Sequence, residues 1–465
     1  MKVLLITPEI APYSRASSLA ETAAGLPKAL RGLGHQVTVV SPLYEAIDPN
    51  AHTLARRLST IDVELGGETY ACAVYDGRTT GGVDLVFLSN EQFGDEPETA
   101  DDAQTRRRAL LFGQAAAEIA RTREPTCDVV HAFGFQAALS LPIAKAKRTP
   151  LGAVLSLFQT DRLGRFEPGE LEALAPPAVV SDALSGTDPT TLLSAGILAA
   201  DRVVAGSPGL AAALVDGSMA ADLGEALRAR GDRLTGIIDG VDGAVYNPVV
   251  DPNLTARFDP ADTSGKDECK GALQYELGLP IRPDTPLLAV KAEDGQGGVA
   301  EVLKGLLRND VQVALAIPDG PDAALGDLVD SHDEQVKCIN AADEGAVHRL
   351  FGGADLFWAP TEGAEPGQGV GGLHLAAQRY GALPIVARTG PPGETVVDCD
   401  AHLETGTGFL YDDDRAAMLS ALQRALAAYA NTDAFEALRR RAMRHDTSWE
   451  RAARRFEHVY RSVTE

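Results

Sequence analysis

Short, continuously apolar segments recur along the chain, and longer segments with helical periodicity separate them. Strands that are apolar on both faces are typical of parallel sheets covered by helices on both sides. The segments form two series, with KVLLITP, HQVTVVSP, DLVFLSN, DVVHAF, GAVLSLF, RVVAGSP and RLTGIID in the first and PLLAVKA, VQVALAIP, QVKCIN, DLFWAP and LPIVAR in the second. We therefore predict an α/β protein with two Rossmann-like, doubly wound domains that face each other across a cleft.

The boundary between the two domains is predicted in a segment rich in Pro, Asp and Gly, residues 243–284. We place the first domain at residues 1–245 and the second at residues 246–445. Ligands of doubly wound folds bind beyond the carboxyl ends of the strands. We therefore expect the functional residues in the loops that follow the apolar segments.

Charge and cysteine content narrow the classes of partner. Acidic residues exceed basic ones, and the 465-residue chain has a formal net charge of -24. Such a surface repels nucleic acid and anionic lipid, so we expect neither nucleic acid nor a membrane as a partner. The five cysteines form no CxxC pair, and no apolar run is long enough to span a membrane. These features predict a cytoplasmic protein with free thiols, no metal site and no cofactor.

The loop after the first apolar segment leads into a helix that we predict to begin near Ser18. Ser18 and Glu21 have the spacing of a capping box, in which the serine side chain accepts a hydrogen bond from the Glu21 amide. An uncapped helix start offers its amides to a phosphate or a sugar oxygen, and a capped one offers fewer. We interpret this as an ordinary capped helix, although Arg15 could still point into the cleft.

A second loop of interest is the glycine-rich stretch GAEPGQGVGGL, between the segment DLFWAP and a helix predicted to begin near Gly372. Such a loop can hold a phosphate or a sugar, and a flexible surface loop is an equally good interpretation. His131 and His374 are interpreted as packed side chains rather than catalytic groups. The acidic run at Asp412 is interpreted as an exposed loop.

Seven further segments are informative, namely PEIAPYSRASSLAETAAGLPKALRGLGHQVTVVSP, DVVHAFGFQAAL, LSAGILAADRVVAGSP, LTGIIDGVDGAVYNP, GKDECKGALQYELGLP, RYGALPIVARTG and GTGFLYDD. These segments resemble the bacterial glycogen synthase and starch synthase family. The resemblance implies the GT-B fold and retaining transfer of glucose from ADP-glucose or UDP-glucose to an α-glucan. It also implies that a C-terminal helix, residues 446–465, joins the first domain.

The chain departs from the family at the positions that contact the donor and the transferred sugar. In the first domain, Lys-x-Gly-Gly-Leu becomes Arg15-Ala16-Ser17-Ser18-Leu19, and His-Ala-His-Asp-Trp becomes His131-Ala132-Phe133-Gly134-Phe135. Phe158 and Gln159 take the places of the histidine and asparagine of an Ile-His-Asn motif. The resemblance therefore implies that the first domain has lost an acid and a sugar-contacting histidine.

In the second domain, the family's diphosphate-binding arginine and lysine become Lys291 and Gln296. Its Glu-Pro-Cys-Gly-Leu loop becomes a longer loop from Glu365 to Leu373, and its Thr-Gly-Gly-Leu becomes Thr389-Gly390-Pro391-Pro392. Lysine cannot reproduce the two-pronged hydrogen bonding of arginine, glutamine carries no charge, and proline lacks an amide donor. These changes predict a weakened donor site.

The residues that remain as candidates are few. By resemblance, Lys291 and Glu365 are the candidate catalytic residues, and the candidate donor contacts are Arg15, Ser17, Ser18, Gly371, Gly372 and Gly390. Three hypotheses stay open. The protein is a glycosyltransferase of this type with weak or altered activity, a non-catalytic relative that binds glucan or a protein partner, or a transferase for a different sugar nucleotide.

Overall fold

The computed structural model divides the chain into two compact units. Unit 1 comprises Met1–Asp239 and Trp449–Glu465, and unit 2 comprises Gly240–Ser448. The residues that the structure describes are 1–98, 100–123, 126–147, 151–158, 160–167, 169–185, 190–218, 221–228, 230–291, 297–317, 320–360, 372–412 and 414–464.

Unit 1 is built on a mainly parallel sheet. Its strands are β1 (Lys2–Ile6), β2 (Gln36–Pro42), β3 (Ala55–Leu65), β4 (Glu68–Arg78), β5 (Asp84–Ser89), β6 (Val129–Phe133), β7 (Gly152–Ser156), β8 (Arg202–Ala205) and β9 (Leu234–Gly236). Among the described residues the order is β3-β4-β5-β2-β1-β6-β7-β8-β9. The strands β3 and β4 form an antiparallel hairpin, and β4 also pairs antiparallel with β5. All the other neighbours in this sheet are parallel. The six neighbouring parallel strands β5-β2-β1-β6-β7-β8, numbered by their order in the sequence, have the order 3-2-1-4-5-6 of a doubly wound fold.

Unit 2 repeats the same order in a fully parallel sheet. Its strands are β10 (Leu287–Lys291), β11 (Gln312–Ile317), β12 (Val336–Asn340), β13 (Leu356–Trp358), β14 (Leu383–Ala387) and β15 (Phe409–Tyr411). Within the described part of unit 2 they lie in the order β12-β11-β10-β13-β14-β15. This is again the 3-2-1-4-5-6 arrangement, so the predicted pair of doubly wound folds is confirmed.

Helices cover these sheets. In unit 1 they are α1 (Leu19–Gly32), α2 (Ala103–Thr122), α3 (Gly134–Ala138), α4 (Ser140–Lys147), α5 (Glu170–Leu174), α6 (Ala178–Ser185), α7 (Leu192–Ala199), α8 (Pro208–Asp216) and α9 (Gly224–Arg228). In unit 2 they are α10 (Ser264–Leu277), α11 (Gly297–Leu306), α12 (Ala323–Ser331), α13 (Glu344–Gly353), α14 (Leu373–Arg379), α15 (Gly390–Thr395), α16 (Arg415–Tyr429) and α17 (Thr432–Met443). No helix among the described residues is long and apolar enough to cross a membrane.

Burial of the central strands explains their continuous apolar sequence. In β1, residues 3–6 are at most 2% exposed, and in β10, residues 287–290 are fully buried. Each of these strands has a parallel neighbour on both sides. Because helices pack on both faces of such a sheet, successive side chains are buried whichever face they point to.

The last helix, α18 (Trp449–Arg461), follows unit 2 in the sequence and lies in unit 1. Its Trp449 indole packs against Gly25 of α1, where a Cβ atom would lie 2.1 Å from the indole Nε1. Its Tyr460 reaches the buried side chain of His131 in β6, at 2.8 Å from Oη to Nδ1. A close approach that needs glycine and a buried hydrogen bond therefore help to hold this helix in unit 1, together with its buried side chains.

Candidate functional site

The strand order locates the ligand-binding edge of each unit. In unit 1 the order reverses between β1 and β6, so the loops that follow these strands border the crevice where doubly wound folds bind ligands. In unit 2 the reversal lies between β10 and β13. The loops that follow these four strands contain most of the positions at which the chain departs from the family motifs.

The loop after β1 is organised around the carboxylate of Glu9, which is 3% exposed. Its Oε2 accepts hydrogen bonds from the amides of Ala16 at 2.5 Å and Ser17 at 3.0 Å. Its Oε1 accepts a short hydrogen bond from the Ser17 hydroxyl. Burial raises the pKa of Glu9 above its ordinary value, and the hydrogen bonds from Ser17 and Ala16 oppose that rise.

The predicted capping box at Ser18 is wrong. Ser18 has helical backbone angles, φ -63° and ψ -14°, and its side chain makes no capping hydrogen bond. A capping residue needs non-helical angles to turn its side chain toward the following amides. The Leu19 amide instead donates to the Ser17 hydroxyl at 3.2 Å, and Glu21 pairs with Arg15 at 3.2 Å.

The carboxyl ends of β6 and β7 carry an aromatic pair. Phe133 ends β6, and its ring centroid lies 6.1 Å from that of Phe158, which follows β7. Phe158 occupies the position of the family's sugar-contacting histidine, and a phenyl ring offers no hydrogen bond. This part of the edge is therefore apolar.

His131 is a packed residue of unit 1. It is fully buried, with Nδ1 2.8 Å from the Tyr460 hydroxyl and Nε2 2.8 Å from the Ser156 hydroxyl. Burial lowers the pKa of His131 to about 3, so the ring is neutral at physiological pH. Both ring nitrogens are used inside the protein, which leaves His131 no free atom for a ligand.

Sequence reasoning missed Asp239, which follows β9 on the same edge of unit 1. Its carboxylate accepts a short hydrogen bond from the hydroxyl of Thr22, in the first turn of α1. Burial raises the pKa of Asp239 to about 6. The signal was available, because Asp239 ends the segment RLTGIID, and the residues that follow a strand of a doubly wound fold lie at the ligand-binding edge.

The edge of unit 2 is described in part. Lys291 is the last residue of β10, is half-buried and lies opposite Ala316 of β11. Its position at a carboxyl end of a strand suits a residue that contacts a ligand. Gln296, Glu365 and Gly371 lie outside the described residues, as does Gln159 of unit 1.

Two candidate glycines of unit 2 lie at helix starts. Gly372 precedes α14 with φ +77°, and Gly390 is the first residue of α15 with φ +72°. Both angles are in the left-handed region that favours glycine. The residues after Gly390 are Pro391 and Pro392, which lack the amide hydrogens that a helix start otherwise offers to an anion.

His374 of α14 packs against this same part of unit 2. It is 2% exposed, and its Nε2 lies 2.8 Å from the hydroxyl of Thr395 at the end of α15. Burial lowers the pKa of His374 to about 3. The ring is therefore neutral at physiological pH and joins two helices.

The described residues offer nothing that resembles a metal site, since no group of three or more His, Cys, Asp or Glu side chains converges there. The unit 1 edge combines the buried carboxyl of Glu9 and the half-buried carboxyl of Asp239 with the ion pair of Arg15 and Glu21.

The comparisons with known proteins agree with the fold. A family model of the starch synthase catalytic domain matches residues 2–229. A glycogen synthase of Anaeromyxobacter sp. (strain Fw109-5) is 33% identical over 483 residues, which cover 100% of this chain and 99% of that protein. The chain belongs to the glycogen synthase family. Another glycogen synthase, from Streptococcus gordonii, is 29% identical over 480 residues and is covered completely.

The glycogen synthase family consists of glycosyltransferases, and solved structures show that this chain has the GT-B fold. The catalytic domain of starch synthase IV from Arabidopsis thaliana, bound to ADP and acarbose, matches with a TM-score of 0.87 at 22% identity, over 100% of this chain and 99% of that one. An α,α-trehalose 6-phosphate synthase from Burkholderia multivorans matches with a TM-score of 0.55 at 11% identity, over 99% of this chain and 98% of that one. At these identities the two matches concern the fold.

Proposed function

We propose that this member of the glycogen synthase family transfers glucose, with retention, from ADP-glucose or UDP-glucose to an α-glucan, at a rate well below that of relatives with an intact donor site. Family membership over the full length supports the reaction class. The observation that carries the reduced rate is the packing of Phe158 against Phe133, where the family has a histidine that contacts the transferred sugar.

The donor side supports the same proposal. As the glucosyl bond breaks, negative charge develops on the leaving diphosphate, and fixed cations stabilise it. Lys291 and Gln296 replace an arginine and a lysine, and a charge-assisted hydrogen bond is worth about 1.5–3 kcal/mol. Loss of two such bonds costs about 3–6 kcal/mol, which lowers the rate roughly 10²- to 10⁴-fold.

The donor nucleotide is proposed from the relatives. The starch synthase IV domain that shares the fold is bound to ADP and acarbose. We infer that this chain takes ADP-glucose in preference to UDP-glucose and an oligomeric α-glucan as acceptor. We place the protein in the cytoplasm, because its five cysteines are free thiols and four of them are buried.

A second candidate function is that of a non-catalytic member of the family that binds glucan. The observation that favours it is the acidic, apolar character of the unit 1 edge, where Glu9, Asp239, Phe133 and Phe158 lie. Carboxylates and aromatic rings suit neutral sugars better than a diphosphate. This candidate predicts glucan binding without transfer.

The experiment that separates the two candidates is a transfer assay with labelled ADP-glucose and UDP-glucose on maltoheptaose. We expect transfer above the background set by the Lys291→Ala variant. We expect a rate about 10²- to 10⁴-fold below that of the Anaeromyxobacter relative assayed in parallel. A rate within tenfold of the relative would show that the substitutions do not weaken the site. Glucan binding with no transfer from either donor would establish the second candidate.

A further inference from the structure

A side-chain hydrogen bond joins α14 to α15 at the carboxyl edge of the unit 2 sheet. His374, in the first turn of α14, has its Nε2 atom 2.8 Å from the hydroxyl oxygen of Thr395, the last residue of α15. The same hydroxyl lies 3.0 Å from the carbonyl oxygens of Pro391 and Pro392. Because a carbonyl oxygen can only accept, the hydroxyl proton goes to these carbonyls and the hydroxyl oxygen accepts from His374.

This arrangement determines which nitrogen of His374 carries the proton. The pKa of His374 is lowered by burial to about 3, so the ring is neutral and its single N–H is at Nε2. Nδ1 then holds a lone pair, and among the residues that the structure describes this buried atom has no hydrogen-bond partner. A buried acceptor without a partner lowers stability, and a leucine would fill a similar space without that cost. The contact to Thr395, rather than the packing of unit 2, therefore explains a histidine at this position.

The bonded residues lie close to two candidate donor contacts. Gly372 lies two residues before His374, and Gly390 directly precedes Pro391, whose carbonyl accepts from Thr395. Both glycines have positive φ angles, and they follow the neighbouring strands β13 and β14. The hydrogen bond between the two helices therefore links the two glycine segments through side chains.

Each of the two helices is also fixed at a second point. Gly393 of α15 lies so close to the end of β14 that a Cβ atom on it would lie 1.9 Å from the carbonyl oxygen of Arg388. At the end of α14, the Lys266 ammonium donates to the carbonyl of Tyr380 at 2.8 Å. The separation between the first turn of α14 and α15 is what the side-chain hydrogen bond adds to these restraints.

We propose that His374 and Thr395 are positioning residues for the sugar-nucleotide donor, because their hydrogen bond sets the separation of the backbone at Gly372 from the backbone at Gly390. The proposal rests on the proposed function in that these two segments contact the donor. Without the bond the segments also populate other separations, and the apparent affinity falls with the fraction that keeps the binding geometry. One hydrogen bond of ordinary net strength shifts such an equilibrium by up to about tenfold.

The test measures the affinity for ADP by isothermal titration calorimetry, since ADP binding requires no glucose transfer. The variants that break the bond are His374→Leu and Thr395→Val, and we expect each to bind ADP roughly five- to tenfold more weakly than the parent. The variants His374→Gln, which places an amide N–H near the position of Nε2, and Thr395→Ser, which keeps the hydroxyl, should stay within about twofold. The double variant of His374→Leu with Thr395→Val should bind no more weakly than either single variant, because both remove the same bond.

The matched control is Thr285→Val, the same substitution at a buried threonine just before β10, at the opposite edge of the sheet. The Thr285 hydroxyl donates to a carboxylate oxygen of Asp310 at 3.3 Å, so this variant also loses a hydrogen bond. We expect its affinity for ADP to stay within about twofold of the parent, because the site is distant. Differential scanning calorimetry gives a second readout. His374→Leu should keep the melting temperature of unit 2 within about 3 °C of the parent, since it removes an unpaired nitrogen together with the bond.

The outcomes separate this proposal from the proposed function. The proposal is overturned if His374→Leu and Thr395→Val bind ADP as tightly as the parent, or if Thr285→Val or the two conservative variants lose as much affinity as they do. A parent that binds ADP and transfers no glucose would refute the proposed function and leave the positioning role standing. A parent that binds no ADP would overturn both.

Discussion

Removal of the Tyr460 hydroxyl tests how the C-terminal helix is held in unit 1. His131 is fully buried and neutral, and its two ring nitrogens lie 2.8 Å from the hydroxyls of Tyr460 and Ser156. In a neutral imidazole one nitrogen donates and the other accepts, so one of the two hydroxyls accepts a hydrogen bond from His131 and the other donates one to it. The Tyr460→Phe variant keeps the packing of the ring against Phe456 and leaves one ring nitrogen of His131 without a partner.

The expected cost follows from that unpaired nitrogen. A buried polar atom that loses its partner costs about 1–3 kcal/mol. For a unit of this size, we expect the melting temperature of unit 1 to fall by roughly 2–12 °C. Differential scanning calorimetry at pH 7.5 measures this shift, and the transition of unit 2 should not move with it.

The matched control is Tyr75→Phe in β4 of the same unit. The Tyr75 hydroxyl has no hydrogen-bond partner among the residues that the structure describes, so its loss should cost less than about 0.5 kcal/mol. If unit 1 has the same melting temperature in Tyr460→Phe, in Tyr75→Phe and in the parent, the contact between Tyr460 and His131 does not stabilise unit 1 and the reasoning fails.

Two further changes concern buried ionisable groups. The pKa of Asp239 is raised to about 6, so the cost of ionising it in the folded protein builds up as the pH rises from about 4 to 6 and is complete above that. Asp239→Asn should therefore stabilise unit 1 by up to about 3 kcal/mol in urea unfolding at pH 7.5 and by much less at pH 4.5. An equal gain at both pH values would contradict this. Lys266 of α10 is 1% exposed and donates to the carbonyls of Phe351, Gly352 and Tyr380, and burial lowers its pKa to about 7. Lys266→Met should therefore destabilise unit 2 by about 2–5 kcal/mol, whereas an unchanged unfolding midpoint would show that these carbonyls do not need the ammonium group.

The sequence predicted the sheets well where burial is complete. Every apolar segment of the two predicted series contains a strand, because a parallel strand covered on both faces needs apolar residues throughout. The hairpin β3–β4 was missed since most of β3 is exposed, and residues such as Arg56, Arg57 and Thr60 interrupt its apolar pattern. The strand β15 was missed because three residues are too few to show a period.

The sequence gives the positions of the candidate site residues but not their contacts. Phe158, Lys291 and Gly390, which were chosen by resemblance, lie at or just beyond the carboxyl ends of β7, β10 and β14, where ligands of doubly wound folds bind. Ser18 was predicted to accept a hydrogen bond at the start of α1, but it is the Ser17 hydroxyl that accepts one, from the Leu19 amide. The spacing of a capping box cannot show which of the two serines has helical backbone angles. The hydrogen bond of Asp239 to Thr22 joins residues far apart in sequence, so no local pattern contains it.

The central claim is that the donor site is weakened by a small set of substitutions on an intact family scaffold. The direct measurement is the initial rate of glucose transfer from ADP-glucose to maltoheptaose. It compares the parent with a variant that combines Ser17→Gly, Ser18→Gly, Phe158→His, Lys291→Arg and Gln296→Lys. We predict that the combined variant is at least tenfold faster than the parent. A parent that already transfers glucose at the rate of the Anaeromyxobacter relative, and a combined variant that is slower, would contradict the claim and show a site rebuilt for a different use.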